Sequence, residues 1–134
     1  MDDNENDEFW ENDLASIIVD ASYHIHVGLG PGLLESVYEE ILYHELTNIG
    51  LKVTRQQAMP VIWKGRKMEL GFRTDLIVEN KVIVEIKSVQ QINPVHCKQL
   101  LTYLKLADLK LGLLINFNSA LIKNGITRII NGEL

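Results

Sequence analysis

The sequence predicts an α+β fold, an α/β/α sandwich in which a mixed sheet is flanked by helices. Two helical stretches come first, four strand-like runs follow in meander order, and one more helix separates them from two final strands. A crossover helix after a meander lets the next strand return parallel to the sheet, which makes the sheet mixed. The central run VIVEIK is apolar enough to need cover on both sides.

The elements follow in order. Residues 14–27 (LASIIVDASYHIHV) predict the first helix, with Asn12 or Asp13 as its cap. GLGPG (28–32) breaks it into a loop. Residues 33–49 give a second helix, with Leu34, Val37, Ile41, Leu42 and Leu46 near helical spacing and Gly50 ending it. Strand-like runs occupy 52–57, 61–64, 67–78 and 82–88. Gly65 in WKGRK marks one hairpin turn, and ENK (79–81) marks another. Pro94 opens a helix that runs to about Ala107, because proline fits a first turn. KLGLLINF (110–117) reads as a buried strand and 126–130 as a short last one. The chain shows no internal repeat and no interior linker.

Composition narrows the function classes. The chain has 134 residues, 46% of them hydrophobic and 23% charged, which suits one globular domain with a packed core. Cys97 is the single cysteine, so no intrachain disulfide forms, and a cytoplasmic location is expected. No apolar run approaches the roughly 20 residues of a membrane span, and no secretory h-region stands at the N-terminus. Seven of the 18 acids lie in the first 13 residues, with no base among them. Residues 1–13 are therefore read as an acidic, flexible tail and 14–134 as the domain. That domain carries 13 bases against 11 acids, a mildly basic +2 behind a formal net charge of −5. The tail either solvates the chain or folds back over a basic groove.

The chemistry concentrates in VIVEIKSVQ (82–90). Alternation puts Ile83, Glu85 and Lys87 on one face and Val82, Val84 and Ile86 on the other. A solvated edge pair is the simplest account of Glu85 and Lys87, but Asp75 changes the balance. A three-residue loop at ENK pairs position 75 with 85, bringing two carboxylates onto one face with Cβ atoms about 5 Å apart. A two-residue turn at Asn80–Lys81 would put them on opposite faces. Like charges directly opposite destabilise a sheet, and a divalent cation bound by carboxylate oxygens supplies a reason for them. A lysine beside it can hold a water or meet developing phosphoryl charge.

Asp75 followed by Glu85-x-Lys87 on the next strand resembles the active-site motif of the PD-(D/E)XK nuclease superfamily. GPGLLESVYEE is similar to the Gly-x-x-Glu-x-x-Tyr signature of the GxxExxY family, with Gly32, Glu35 and Tyr38 matching. GFRTDLIV, VHCKQLLTYLKL and LGLLINF resemble the same family, and the likeness spans roughly 14–130. Thr74 stands where the superfamily motif has proline.

The resemblance implies a restriction-endonuclease-like PD-(D/E)XK core and metal-dependent hydrolysis of nucleic-acid phosphodiesters. Asp75, Glu85 and the Ile86 carbonyl would hold Mg²⁺ or Mn²⁺, with Glu35 as an accessory ligand and Lys87 on the water. It also assigns Gln99 and Tyr103 to a Gln-x-x-x-Tyr pattern. His96, Gln99 and Tyr103 fall at i, i+3 and i+7, one stripe of their helix. Arg73, Lys64, Arg66, Lys67 and Lys98 are candidate phosphate contacts. The implied partner is nucleic acid, DNA in the first place, with no membrane and with a homodimer left open.

The alternatives are a non-catalytic binding or regulatory module on the same fold, which the low body charge favours, and an oligomerising structural protein with a Glu85–Lys87 ion pair. Tyr38 is open to packing or function. Trp10, Trp63 and Phe72 are read as core or hairpin contacts, Cys97 lacks a catalytic partner, and no Cys/His spacing suggests zinc.

Overall fold

The structure, a computed structural model, describes residues 9–134. Helix α1 (Glu11–Leu29) and helix α2 (Glu35–Asn48) precede strand β1 (Val53–Met59). The short strands β2 (Ile62–Trp63) and β3 (Arg66–Lys67) form a separate hairpin, followed by β4 (Phe72–Val78) and β5 (Val82–Lys87). Helix α3 (Pro94–Ala107), β6 (Leu111–Asn116), a 3₁₀ turn at Ile122–Gly125 and β7 (Ile126–Ile130) complete the chain.

The sheet order is β1-β4-β5-β6-β7. Among the described residues only β5 and β6 run parallel, and α3 is the crossover that makes this possible. The sheet is thus mixed and flanked by helices, as predicted. The run 67–78, expected as one strand, is two pieces. Met68 N–H bonds the Val61 carbonyl at 2.8 Å, closing β2–β3 as its own small sheet before β4 begins.

Helix α1 starts earlier than predicted. Trp10 takes the N-cap position, and its N–H donates to Asp13 Oδ2 at 3.2 Å from three residues on. Asp13 therefore braces the first turn instead of capping it, and residues 11–13 belong to the helix rather than to a tail. Phe9 packs on the same core. Residues 1–8, where the rest of the acidic tail was drawn, lie outside the described residues. Leu14, Ile18, Ser22 and Ile25 form the buried stripe of α1, and buried Ser22 satisfies its hydroxyl on the Ile18 carbonyl at 2.8 Å. Among the described residues, no helix is long and apolar enough to cross a membrane.

Two cores lie on the two faces of the sheet. Val82, Val84 and Ile86 pack with Leu76, Leu113 and Ile115 under α1 and α2. On the other face Ile77, Ile83 and Leu114 meet Leu100 and Leu104 of α3. Gly112 lets α3 lie close: a Cβ there would sit 2.9 Å from the Leu100 side chain. Alternation along β5 thus sends Glu85 to the α3 side, in line with Ile83.

Tyr38 is a packing residue that also pins a loop. Its ring stacks on Phe117, centroids 4.4 Å apart and planes 6° apart. Its hydroxyl donates to the Gly30 carbonyl at 2.6 Å and accepts from Leu33 N–H at 3.2 Å. The loop between α1 and α2 is held by both bonds, which fixes where α2, and with it Glu35, begins.

Candidate active site

The register of β4 and β5 decides which face each acid takes. Leu76 pairs with Val84, Ile77 with Ile83 and Val78 with Val82, so the link is the three residues 79–81. Glu79 and Asn80 adopt left-handed φ of 53° and 54°, and Lys81 N–H closes onto the Val78 carbonyl at 3.0 Å. The same register brings Asp75 opposite Glu85, as the three-residue alternative required.

There the backbone ladder stops. Asp75 N–H donates to Glu85 Oε2 at 2.8 Å, and Ile86 N–H donates to Asp75 Oδ2 at 2.8 Å. Each carboxylate stands in for a missing rung. On the other side of β4 the ladder to β1 passes from Arg55–Leu76 to Gln57–Thr74, skipping Gln56 and Asp75. Gln56 has φ 50°. Across this skipped rung the face alternation of β4 reverses. Phe72 stacks on Tyr103 at 4.4 Å, and Ile77, an odd number of residues away, packs on the same α3 side. The kink has the effect of a β-bulge, re-aiming a side chain at the edge of regular pairing.

Both carboxylates are perturbed. Glu85 is 7% exposed, and burial, then the Asp75 charge, pushes its carboxyl up to about 8. Asp75 is also raised, by burial first and by the Glu39 charge, against the lowering effect of the Ile86 N–H and the Gln56 amide. Tyr103 is raised by burial and by the charges of Glu85 and Asp75, which places its phenol within their field. Lys87 lowers both acids electrostatically. Among the described residues its ammonium makes no hydrogen bond or ion pair.

Glu35 opens α2 and accepts from Ser88 N–H at 3.1 Å, while Ser88 Oγ donates to the Leu33 carbonyl at 2.9 Å. The start of α2 is thereby tied to the residue after Lys87. A cleft of about 510 Å³ lies here, lined by Leu34, Glu35, Glu39, Gln56, Asp75 and Ser88. Glu39, Arg55 and Gln56 were not anticipated. Buried Glu39 takes Arg55 Nε at 3.0 Å, and Gln56 Nε2 bonds both Glu39 Oε1 at 2.8 Å and Asp75 Oδ1 at 3.2 Å. One signal was in the sequence: Glu35 and Glu39 stand at i and i+4, on one helix face.

The predicted α3 stripe separates. Tyr103 stacks on Phe72 and feels the charges of the two carboxylates. His96 Nδ1 instead accepts from Asn93 N–H at 3.1 Å and serves the helix cap. Gln99 and Lys98 are exposed and make no side-chain hydrogen bond among the described residues. Arg73 Nη1 donates to the Gln56 carbonyl at 3.1 Å, beside the skipped rung. Lys64, Arg66 and Lys67 lie on the β2–β3 hairpin, exposed. Of the expected core or hairpin contacts, Trp63 is a hairpin residue paired with Arg66 and Phe72 stacks on Tyr103, while Trp10, 67% exposed, is not a core contact.

The donor set suits a hard cation. Glu85 Oε1 has no hydrogen bond among the described residues. The Ile86 N–H points at Asp75, so its carbonyl, which projects to the same side of a strand, faces the opened edge of β4. Carboxylate and carbonyl oxygens are the ligands Mg²⁺ and Mn²⁺ prefer. Among the described residues no group of three or more His, Cys, Asp or Glu side chains is arranged to hold a metal ion.

The sequence model of the PD-(D/E)XK nuclease superfamily matches residues 12–129. The chain belongs to the PD-(D/E)XK nuclease superfamily. Membership suggests a nuclease and implies a nucleic-acid substrate. Among solved structures, the crystal structure of SSO0001 aligns with a TM-score of 0.47 and 17% identity, over 90% of this chain and 79% of that one. A search of curated proteins finds no match.

Proposed function

We propose that this PD-(D/E)XK domain is a metal-dependent nuclease of the GxxExxY type, hydrolysing nucleic-acid phosphodiester bonds. The observation that carries the reading is the break in the sheet at Asp75. Both ladders omit this rung, and Asp75 and Glu85 face each other at the opening with Lys87 in their field. Two facing buried carboxyls ionise together only at a cost unless something of opposite charge joins them.

Asp75, Glu85 and the Ile86 carbonyl would hold Mg²⁺ or Mn²⁺, with Glu35 across the cleft as accessory ligand or orienting group. A bound divalent cation supplies Lewis acidity toward a phosphoryl oxygen. Lys87, free of protein partners among the described residues, positions the attacking water and meets charge that builds on the phosphoryl oxygens. Gln56 holds Asp75 from behind, and Arg55 holds Glu39. The Tyr103 hydroxyl, together with Gln99 on the exposed flank of α3, faces the substrate backbone. Gly32, Glu35 and Tyr38 fit the signature, Tyr38 serving to fix the loop that presents Glu35.

A second reading, a non-catalytic nucleic-acid- or protein-binding module, draws on one observation: Asp75 and Glu85 already have backbone N–H partners without a metal. Calorimetric titration with Mn²⁺, followed by cleavage assays on DNA and RNA, separates the two. Mn²⁺ binding with cleavage is expected; no divalent binding at millimolar concentration removes the nuclease reading.

A further inference from the structure

The β2–β3 hairpin carries features the carboxylate site does not use. It pairs Ile62 with Lys67 and Trp63 with Arg66, and turns through Lys64 and Gly65 at φ 52° and 75°. Glycine suits such a turn; lysine in this region is the less usual occupant. The exposed indole of Trp63 has Lys64 Nζ at 5.8 Å from its ring centroid, so aromatic face and cation are presented together.

Charge is concentrated here. Residues 62–73 hold Lys64, Arg66, Lys67 and Arg73 against Glu69 alone, a net +3. Residues 14–134 as a whole carry only +2, so the rest of the body is slightly negative. The net positive charge of residues 14–134 is thus carried by this segment.

Beside the hairpin lies a cleft of about 490 Å³, whose lining includes Met59, Lys67, Leu70, Phe72 and Arg73. Phe72 stacks on Tyr103, which feels the charges of Asp75 and Glu85. Arg73 stands two residues before Asp75 on β4. The cleft thus borders the strand that carries Asp75, its lining ending at Arg73, and its volume is that of a small-molecule site.

We infer that this hairpin and cleft bind an unpaired stretch of nucleic acid, with Trp63 stacked on a base and Lys64, Arg66, Lys67 and Arg73 on the phosphates, delivering the strand to Asp75 and Glu85. The delivery rests on the nuclease reading; the binding does not. An exposed indole stacks on a base only when that base has a free face, which an intact duplex interior does not offer. Four basic side chains within residues 62–73 also cover few phosphates, whereas proteins that grip long duplexes lay down a broader basic footprint.

The test is fluorescence anisotropy with a labelled short oligothymidylate, at low salt and in chelator, so that cleavage plays no part. Trp63→Ala weakens binding by roughly tenfold, the scale of one lost base stack. Trp10→Ala, which removes an equally exposed indole, leaves it unchanged. On an abasic oligomer of the same length, wild type and Trp63→Ala bind alike, and a duplex of the same sequence competes poorly. Equal affinity of wild type and Trp63→Ala for oligothymidylate overturns the inference, as does a duplex that competes as well as the single strand. Trp63-dependent binding in a protein that takes up no Mn²⁺ keeps the inference and removes the nuclease reading. Cleavage that proceeds with no Trp63 dependence in binding removes this inference alone.

Discussion

Asp75 and Glu85 hold each other's strands: Asp75 N–H donates to Glu85 Oε2, and Asp75 Oδ2 accepts from the residue after Glu85, both at 2.8 Å. Two acids at facing positions of an antiparallel pair repel. Here the repulsion is tolerated because each carboxylate satisfies a backbone N–H that the interrupted ladder leaves over, and because Glu85 keeps its proton up to about 8.

Glu85→Ala and Lys87→Ala separate a metal site from a plain ion pair. Glu85→Ala is expected to abolish or strongly weaken Mn²⁺ uptake. Lys87→Ala should leave uptake nearly intact and lower cleavage by about a hundredfold or more, since developing charge loses its partner. Calorimetry and cleavage rates on the same three proteins read this out. Small, equal stability losses with unchanged metal affinity would indicate a structural pair.

The apo-protein should lose stability as pH rises. Unfolded, Glu85 titrates near 4.5; folded, near 8. Between these values the unfolded chain releases a proton that the folded chain keeps, so stability is fullest below about 4.5 and declines until about 8. The raised Asp75 acts in the same direction. Thermal melts in chelator at about pH 5 and about pH 8 should differ for wild type and differ less for Glu85→Gln. Mn²⁺ affinity should rise over the same window, with proton release on binding. A pH-independent wild-type melting temperature contradicts this.

Arg55→Ala leaves the Glu39 carboxylate, 7% exposed, with Gln56 as its remaining partner. Because Arg55 is itself 35% exposed, the loss should be about 1–3 kcal/mol, short of the value for a fully buried pair. Adding Glu39→Gln should restore much of it. Urea denaturation that gives the double variant the same loss as Arg55→Ala would show the pairing does not matter.

Gly112→Ala drives a methyl into Leu100, with an expected cost of about 1–3 kcal/mol. Leu100→Ala alone opens a cavity and costs about 2–5 kcal/mol. Combined, the two should cost less than their sum, since the new methyl occupies vacated space. Strict additivity would mean α3 does not lie against Gly112.

What the sequence revealed and what it hid divide along a physical line. The alternation in VIVEIK and the spacing of Asp75 from Glu85 around ENK are local, so the facing carboxylates were legible from short-range rules. The strap from Glu39 through Gln56 to Asp75 joins a helix to a strand that meet only in the folded chain, and no short-range pattern marks it. Left-handed Gln56 was equally hidden, because glutamine has no special preference for that region. His96 matched the helical stripe, but the stripe did not show that its ring was needed to close the cap on Asn93. Trp63, expected as a core or hairpin contact, takes the hairpin place, and the two-residue strands around it are too short to bury it.

The pairing of carboxylates with backbone amides also equips the protein with its own spectroscopic probes. The Asp75 and Ile86 amide protons each point at a carboxylate oxygen rather than a ladder carbonyl. Their chemical shifts therefore follow the charge on those oxygens. In a ¹H–¹⁵N correlation spectrum these two resonances should move together as Glu85 ionises and move again as a cation is added. The β7 amides, three strands along the sheet from β4, should stay still.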